Sequence, residues 1–243
     1  LSGYEFDASC TKLLLAFEEE AIYRRSSDAY YYVYDLQKNT VIPVAEREKG
    51  KQIFADFSAD GSKVAFIRNY NLFYMDLATQ KEYQITTDGE ENKIRNGLAD
   101  WVYEEELSMA KYFYWSPDGS KIAYLRFDES RVKEFSMTIW GELYPEEYKY
   151  KYPKAGEDNS IVEIYVYDLQ SGKSSQVAFP REDCYYPRIY WLSNSVDLMV
   201  LKLNRLQNKL EFYRCNTQTG AKDVVLTDEN KWWLEITDDY YFL

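Results

Sequence analysis

The sequence contains no histidine among its 243 residues. Histidine is the usual general base of a Ser-His-Asp triad and the commonest zinc ligand, so the chain lacks both of these groups. It also lacks a G-x-S-x-G nucleophile elbow, a phosphate-binding P-loop and an H-E-x-x-H zinc motif. We therefore expect no catalytic residue, no metal site and no cofactor within this chain.

Cysteine is scarce, and long apolar runs are missing. Cys10, Cys184 and Cys215 are an odd number without a C-x-x-C pair, which favours idle or buried thiols over a disulfide framework or a zinc site. No Asn-x-Ser/Thr acceptor occurs, and no apolar run approaches the roughly 20 residues that a membrane helix needs. Because the chain begins at Leu1 with neither an initiator methionine nor a signal segment, we expect an excerpt of a longer protein.

Positive charge is outnumbered, with 29 Lys and Arg against 41 Asp and Glu and a formal net charge of −12. A field of that sign repels phosphate backbones and anionic lipids, so we expect no nucleic-acid partner and favour a cationic ligand. Aromatic residues, by contrast, make up 18% of the chain and include 25 tyrosines. Such a bias is typical of strand-rich proteins and predicts an all-β fold.

A repeated pattern of short strands and turns organises the chain. The turn Ser-Ala-Asp-Gly-Ser-Lys at 58–63 recurs as Ser-Pro-Asp-Gly-Ser-Lys at 116–121, each time between apolar strands. Asp-Leu dipeptides at Asp35, Asp76 and Asp168 mark the end of the third strand of a unit. Units of roughly 40 to 50 residues with four strands predict β-propeller blades. A β-sandwich is the alternative, but it gives no reason for the turn to recur in register.

We predict a single incomplete propeller domain of about four to five four-stranded blades. The predicted blades are residues 8–50, 51–91, 110–181 and 184–228, with the start of a further blade at 229–243. An insert at 92–109 lacks alternation and indicates a loop leading into a short helix. A second insert at 131–160 is crowded with aromatic and charged residues and predicts a projecting β arm that docks on a partner. An arm folded back on its own propeller is the alternative.

The run Asp100–Glu106, which reads Asp-Trp-Val-Tyr-Glu-Glu-Glu, lies in the first insert and places three carboxylates after an aromatic pair. Most such runs are solvated helix faces, and the charge pattern alone favours that interpretation. The adjacent pair Arg24 and Arg25 is, on the same grounds, most simply part of a solvated loop. Neither feature identifies a site by itself.

Three segments in this order resemble the dipeptidyl peptidase IV family of prolyl-oligopeptidase-like serine peptidases, and the resemblance covers nearly the whole chain. The segments are 96–106, Tyr114–Gly119 and Tyr152–Gly156. The first is highly specific, whereas the Trp-Ser-Pro-Asp-Gly turn in the second is generic to many propellers. The resemblance implies an eight-bladed propeller that caps an α/β-hydrolase domain carrying the Ser, Asp and His of the triad. That catalytic domain is absent from this sequence.

The resemblance also implies a substrate site. In the family the last two carboxylates of the motif, here Glu105 and Glu106, bind the free α-ammonium of a peptide. An arginine of the first-blade loop binds a peptide carbonyl nearby, and it matches Arg24, with the adjacent Arg25 as the rival assignment. Two convergent carboxylates suit an ammonium with three donors, whereas an acylated amine gains nothing from them.

The other members of the motif have supporting roles in this interpretation. We expect Trp101 and Tyr103 to anchor the segment between blades by packing. Glu104 is expected to be structural or solvated.

The implied activity is the release of N-terminal dipeptides from peptides with Pro or Ala at the second position, with this chain binding the substrate N-terminus and gating access. A sister peptidase that releases tripeptides and a non-catalytic propeller that binds partners through the tyrosine-rich arm are the alternatives. The family further implies that the arm, about Glu134 to Asp158, pairs with its twin in a homodimer. With few cysteines and no glycosylation acceptor, we expect a bacterial periplasmic or cell-surface protein.

Overall fold

The computed structural model describes residues 1–141 and 143–242. Apart from a 3-10 turn at Arg47–Lys49 and one five-residue α-helix, α1 (Trp101–Glu105), the regular structure of these residues is β-strand. The all-β class predicted from the aromatic bias is thus confirmed. None of the described residues belongs to a helix that is both long and apolar enough to cross a membrane.

The first eight strands form one continuous sheet made of two four-stranded halves, which are counted here as the first and second sheets. The strands of the first half are β1 (Gly3–Phe6), β2 (Lys12–Ala21), β3 (Ser27–Asp35) and β4 (Thr40–Pro43). Those of the second half are β5 (Gln52–Phe57), β6 (Lys63–Arg68), β7 (Asn71–Asp76) and β8 (Lys81–Gln84). Strands pair antiparallel in chain order within each half, and the halves meet where Asp28 and Ala29 of β3 pair with Ile53 and Gln52 of β5.

Two further sheets and a separate hairpin follow. The next strands are β9 (Ile94–Asn96), β10 (Phe113–Trp115) and β11 (Lys121–Asp128), then the hairpin β12 (Glu134–Ile139) and β13 (Glu146–Lys151), then β14 (Ile161–Asp168) and β15 (Lys173–Gln176). The third sheet has the order β10-β11-β14-β15, with β9 beside β11. The fourth sheet contains β16 (Cys184–Trp191), β17 (Asp197–Asn204), β18 (Lys209–Asn216) and β19 (Lys222–Glu229) in chain order. Four-stranded antiparallel meanders of this kind are the blades of a propeller.

The repeated Asp-Gly turn recurs because the same local hydrogen bonds build it each time. Asp60 accepts from the Ser58 hydroxyl at 2.6 Å and the Ser62 amide at 3.0 Å, and Asp118 accepts from Ser116 and Ser120 at the same two distances. Burial disfavours ionisation of both aspartates, but these hydrogen bonds outweigh it and lower the pKa of each to about 2. The glycine that follows each aspartate has a positive φ, which L side chains rarely adopt.

The core lies between neighbouring sheets, and the largest apolar cluster joins the third and fourth sheets to α1. Val102, Tyr103 and Leu107 from the helical segment pack there against residues such as Phe127 and Tyr185. The predicted short helix in the 92–109 insert is therefore wedged between two sheets. This packing fixes the end of the helix that carries the glutamates.

Two further predicted segments are the second insert, at 131–160, and the start of a further blade, at 229–243. A two-stranded hairpin lies within 131–160, and its outer residues Met137, Ile139 and Trp140 are exposed. No strand forms among residues 230–242, where Leu234, Ile236 and Tyr240 instead pack against the cluster between the third and fourth sheets. The division of the chain into blades at the stated positions stays a prediction.

Candidate functional site

Helix α1 begins at a buried aspartate that fixes its first turn. Asp100 is the N-cap, and one of its oxygens accepts from the Tyr103 amide at 2.9 Å. The other oxygen accepts from the Ser160 hydroxyl at 2.6 Å. Burial raises the pKa of Asp100, and these hydrogen bonds partly offset that rise. The cap therefore sets where the helix starts and, with it, the direction of the three glutamates.

Two aromatic residues hold α1 against the neighbouring sheets, as the sequence indicated. Tyr103 is 2% exposed, and its hydroxyl accepts from the Tyr186 amide at 2.8 Å. Its ring lies edge-on to the ring of Phe127, with 4.9 Å between the centroids. Trp101 is half-buried, and its ring centroid is 4.3 Å from that of Tyr152 at the base of the hairpin. Beyond the helix, the Arg188 guanidinium donates to the Leu107 carbonyl at 2.9 Å.

Glu104 points into the protein and binds the loop that carries the arginine pair. Its side chain is fully buried, and one oxygen accepts from the amides of Arg25 at 2.5 Å and Ser26 at 2.8 Å. The other oxygen accepts from the Ser26 hydroxyl at 2.8 Å. Of the two roles that the sequence left open for Glu104, the structural one is therefore correct and the solvated one is wrong.

The next glutamate faces an arginine across the gap between α1 and the β2–β3 loop. Glu105 Oε2 lies 2.8 Å from Arg24 Nε, and the exposed fraction is 18% for the Glu105 side chain and 70% for that of Arg24. Glu106 is exposed at the end of the helix, and its carboxylate has no ion-pair partner in residues 1–141 and 143–242. The Arg25 side chain turns away and donates to the Ser108 hydroxyl at 3.2 Å. The structure thus brings Arg24 and Glu105 together, with Glu106 adjacent in sequence.

The charges of this group favour a cation. Two carboxylates against one guanidinium leave a net negative charge, and both carboxylates sit at the C-terminal end of α1, where the helix backbone disfavours anions. A ligand ammonium would supply the missing positive charge and three hydrogen-bond donors. In the part of the chain that the structure describes, no cluster of three or more Asp, Glu, Cys or His residues is placed to hold a metal ion.

A buried ion pair lies next to the arginine loop and has no signature in the sequence. Arg95 of β9 donates to Glu129 at 3.0 Å, and the exposed fractions of the two residues are 4% and 1%. The Arg95 guanidinium lies 5.8 Å from the centre of the Tyr23 ring, next to Arg24 in the loop. Burial raises the pKa of Tyr23 to about 12. The two partners are 34 positions apart and match no motif, so only the fold reveals their pairing.

The chain as a whole is similar to several known proteins. A family model described as "Dipeptidyl peptidase IV (DPP IV) N-terminal region" matches residues 7–243. Dipeptidyl peptidase 4 of Trichophyton equinum is 29% identical over 233 residues, which cover 91% of this chain and 30% of that protein. The crystal structure of Porphyromonas gingivalis dipeptidyl peptidase 4 superposes with a TM-score of 0.90 at 40% identity, covering 95% of this chain and 33% of that one. The chain therefore spans about a third of the length of these proteins.

Proposed function

Because this chain belongs to the dipeptidyl peptidase IV family, as its N-terminal region, we propose that it is the substrate-binding portion of a longer serine exopeptidase. That enzyme releases N-terminal dipeptides from peptides with Pro or Ala at the second position. The observation that carries the proposal is the placement of Glu105 and Glu106 at the end of α1, with Arg24 at 2.8 Å from Glu105.

In this proposal Glu105 and Glu106 bind the α-ammonium of the peptide. Each of the three ammonium protons needs an acceptor once water has left the site, and two carboxylates supply enough of them with charge-assisted bonds. An acetylated N-terminus offers no positive charge and would leave both carboxylates partly desolvated without compensation. The site therefore selects peptides with a free N-terminus.

Arg24 has two roles in the same proposal. Its Nε faces Glu105 and offsets one of the two negative charges. Its two Nη groups make no hydrogen bond within the described residues, so they are available to a substrate carbonyl. Because the guanidinium presents donors in a planar fork, it can contact the carboxylate and the peptide at the same time.

The supports of α1 favour a fixed end to the substrate cleft. The helix is held at Asp100, at Tyr103 and beyond its end at Leu107, so it presents a rigid surface to the ligand. We propose that this surface stops the peptide after two residues, so that a dipeptide is released. An enzyme that releases tripeptides would need a deeper cleft at the same place.

The test is an assay of the full-length protein on Gly-Pro and Ala-Pro reporter peptides, with product length measured by mass spectrometry. We expect dipeptide products and little cleavage of the N-acetylated reporters. Tripeptide products would favour the sister activity. No cleavage by a folded preparation would show that the proposed function is wrong.

We further propose that the hairpin β12–β13 pairs with the hairpin of a second copy in a homodimer. The exposed fractions of Met137, Ile139 and Trp140 are 41%, 49% and 78%, and a group of exposed apolar side chains is typical of an interaction surface. Sedimentation of full-length Trp140→Asp beside the wild type tests the pairing: we expect a monomer, and an unchanged dimer would contradict it. The periplasmic or cell-surface location stays a prediction.

A further inference from the structure

The buried carboxylate of Glu104 connects the two halves of the candidate site. We propose that Glu104 is a positioning residue that holds Arg24 at the right distance from Glu105, and that it thereby sets the affinity for the substrate ammonium. This inference rests on the proposed function and deepens it. Glu104 does not touch the substrate, and it acts through the loop that presents Arg24.

The geometry of the loop makes Arg24 dependent on this contact. Residues 22–26 join β2 to β3, and the loop is closed by hydrogen bonds from the Ile22 and Tyr23 amides to the Ser26 carbonyl, at 2.8 and 3.3 Å. Glu104 accepts from the next two amides after Arg24, those of Arg25 and Ser26. In so short a loop, fixing these two peptide groups leaves the Arg24 backbone little freedom.

The helical side of the contact lies next to Glu105, because Glu104 and Glu105 are consecutive residues of α1, and the helix itself is held independently at Asp100 and Tyr103. The element that presents Glu105 is thus joined directly to the element that presents Arg24. Glu104 and Ser26 are 78 positions apart in the sequence. The link therefore joins the β2–β3 loop of the first sheet to the 92–109 insert that contains α1. Loss of the link would let the two charged side chains move apart without unfolding either sheet.

The chemistry of the contact requires a carboxylate. Glu104 faces three donors, which are two amides and one hydroxyl, and an ionised carboxylate has acceptor sites for all of them. A glutamine of the same shape has only one oxygen, and its amide group would face a donor. No lysine or arginine side chain pairs with Glu104 among the described residues, so these three donors alone offset the cost of burying it.

A double-mutant cycle in the full-length enzyme separates positioning from a purely structural role. Glu104→Gln should raise KM for an Ala-Pro reporter about 10-fold, with kcat within about twofold of the wild type, since ground-state binding is what weakens. In an Arg24→Ala background the same change should raise KM by less than about twofold, because Glu104 acts through Arg24. Additive effects in the two backgrounds would overturn the proposal.

Asp7 offers a matched control at the other end of β2. It is 2% exposed and accepts from the Thr11 and Lys12 amides at 2.7 and 2.8 Å and from the Ser9 hydroxyl at 2.6 Å. Asp7→Asn therefore disturbs a buried carboxylate with similar donors, and we expect it to leave KM unchanged in both backgrounds. An equal rise in KM from Asp7→Asn would show that the effect of Glu104 is only structural.

Ser26→Ala provides a second test of the Glu104 contact if Glu104→Gln does not fold. It removes one donor and leaves the carboxylate in place, and we expect KM to rise about 3- to 5-fold. A wild-type KM in folded Ser26→Ala would then overturn the role of Glu104. Failure of the proposed function looks different, since it appears as an inactive wild type or as a normal rate in Glu105→Gln.

Discussion

Replacing Glu105 by glutamine in the full-length protein removes one negative charge and leaves the shape of the side chain nearly unchanged. In the free protein Glu105 is 2.8 Å from Arg24, whose side chain is 70% exposed. Pairs with an exposed partner contribute at most about 1 kcal/mol to stability, because water screens them. We therefore expect Glu105→Gln to fold normally and to unfold at nearly the wild-type temperature.

The effect on substrate binding is expected to be much larger. Glu105 is only 18% exposed before the peptide arrives, and a bound ammonium would remove more of its water. Loss of one partner of a desolvated charge pair costs about 2 to 5 kcal/mol. At about 1.4 kcal/mol for each factor of ten, that range corresponds to about 30-fold to several thousand-fold in kcat/KM. Because Arg24 would remain and repel the ammonium, we expect a loss of about 100-fold or more, and a similar loss for Glu106→Gln.

Steady-state kinetics on Gly-Pro and N-acetyl-Gly-Pro reporters measure this effect. The wild type should discriminate strongly against the acetylated peptide, and Glu105→Gln should lose most of that discrimination. Glu48 lies in the exposed 3-10 turn at Arg47–Lys49, so Glu48→Gln is a control for the loss of one surface charge. A kcat/KM for Glu105→Gln within about threefold of the wild type would refute the ammonium site.

Three further outcomes follow from the same structure. Arg24→Lys should lower kcat/KM about 10-fold, because a lysine cannot contact the carboxylate and the peptide as a planar fork. Arg25→Ala should change kcat/KM less than about twofold. A larger loss for Arg25→Ala than for Arg24→Lys in the same assay would assign the site to Arg25. Tyr103→Phe removes the acceptor of the buried Tyr186 amide and should destabilise the protein by about 1 to 3 kcal/mol in denaturant unfolding, so a wild-type midpoint would contradict that contact. Burial opposes the charge on Asp60, but hydrogen bonds hold its folded-state pKa at about 2, below the unfolded value of about 3.9. The contribution of Asp60 to stability is therefore present above about pH 4 and is lost as the pH falls towards 2. The stability difference between wild type and Asp60→Asn should therefore shrink over that interval, and a constant difference would rule out this source of acid sensitivity.

The parts of the fold that depend on nearby residues were predictable from the sequence. The turn at Asp60 is made by Ser58 and Ser62, which lie within two residues of it, so the motif carries its own structure. The short helix begins where Asp100 caps it, and the cap is also local. These features are predicted because their hydrogen bonds close over a few positions of the chain.

The parts of the site that depend on distant contacts were not predictable from the residue pattern alone, and only the family resemblance grouped Arg24 with Glu105 and Glu106. The resemblance favoured Arg24 over the adjacent Arg25, and in the fold Arg24 faces Glu105 while Arg25 donates to Ser108. The role of Glu104 depends on donors about 80 positions away, at Arg25 and Ser26. A buried glutamate and an exposed one look alike in a run of three, because burial is set by tertiary packing.

The most direct test is a crystal structure of the full-length protein with the dipeptide Ala-Pro bound. The α-nitrogen of the dipeptide should lie about 2.7–3.2 Å from a carboxylate oxygen of Glu105 and from one of Glu106, with a dipeptide carbonyl within reach of the Arg24 guanidinium. A dipeptide whose α-nitrogen lies more than about 4 Å from both carboxylates would contradict the ammonium site.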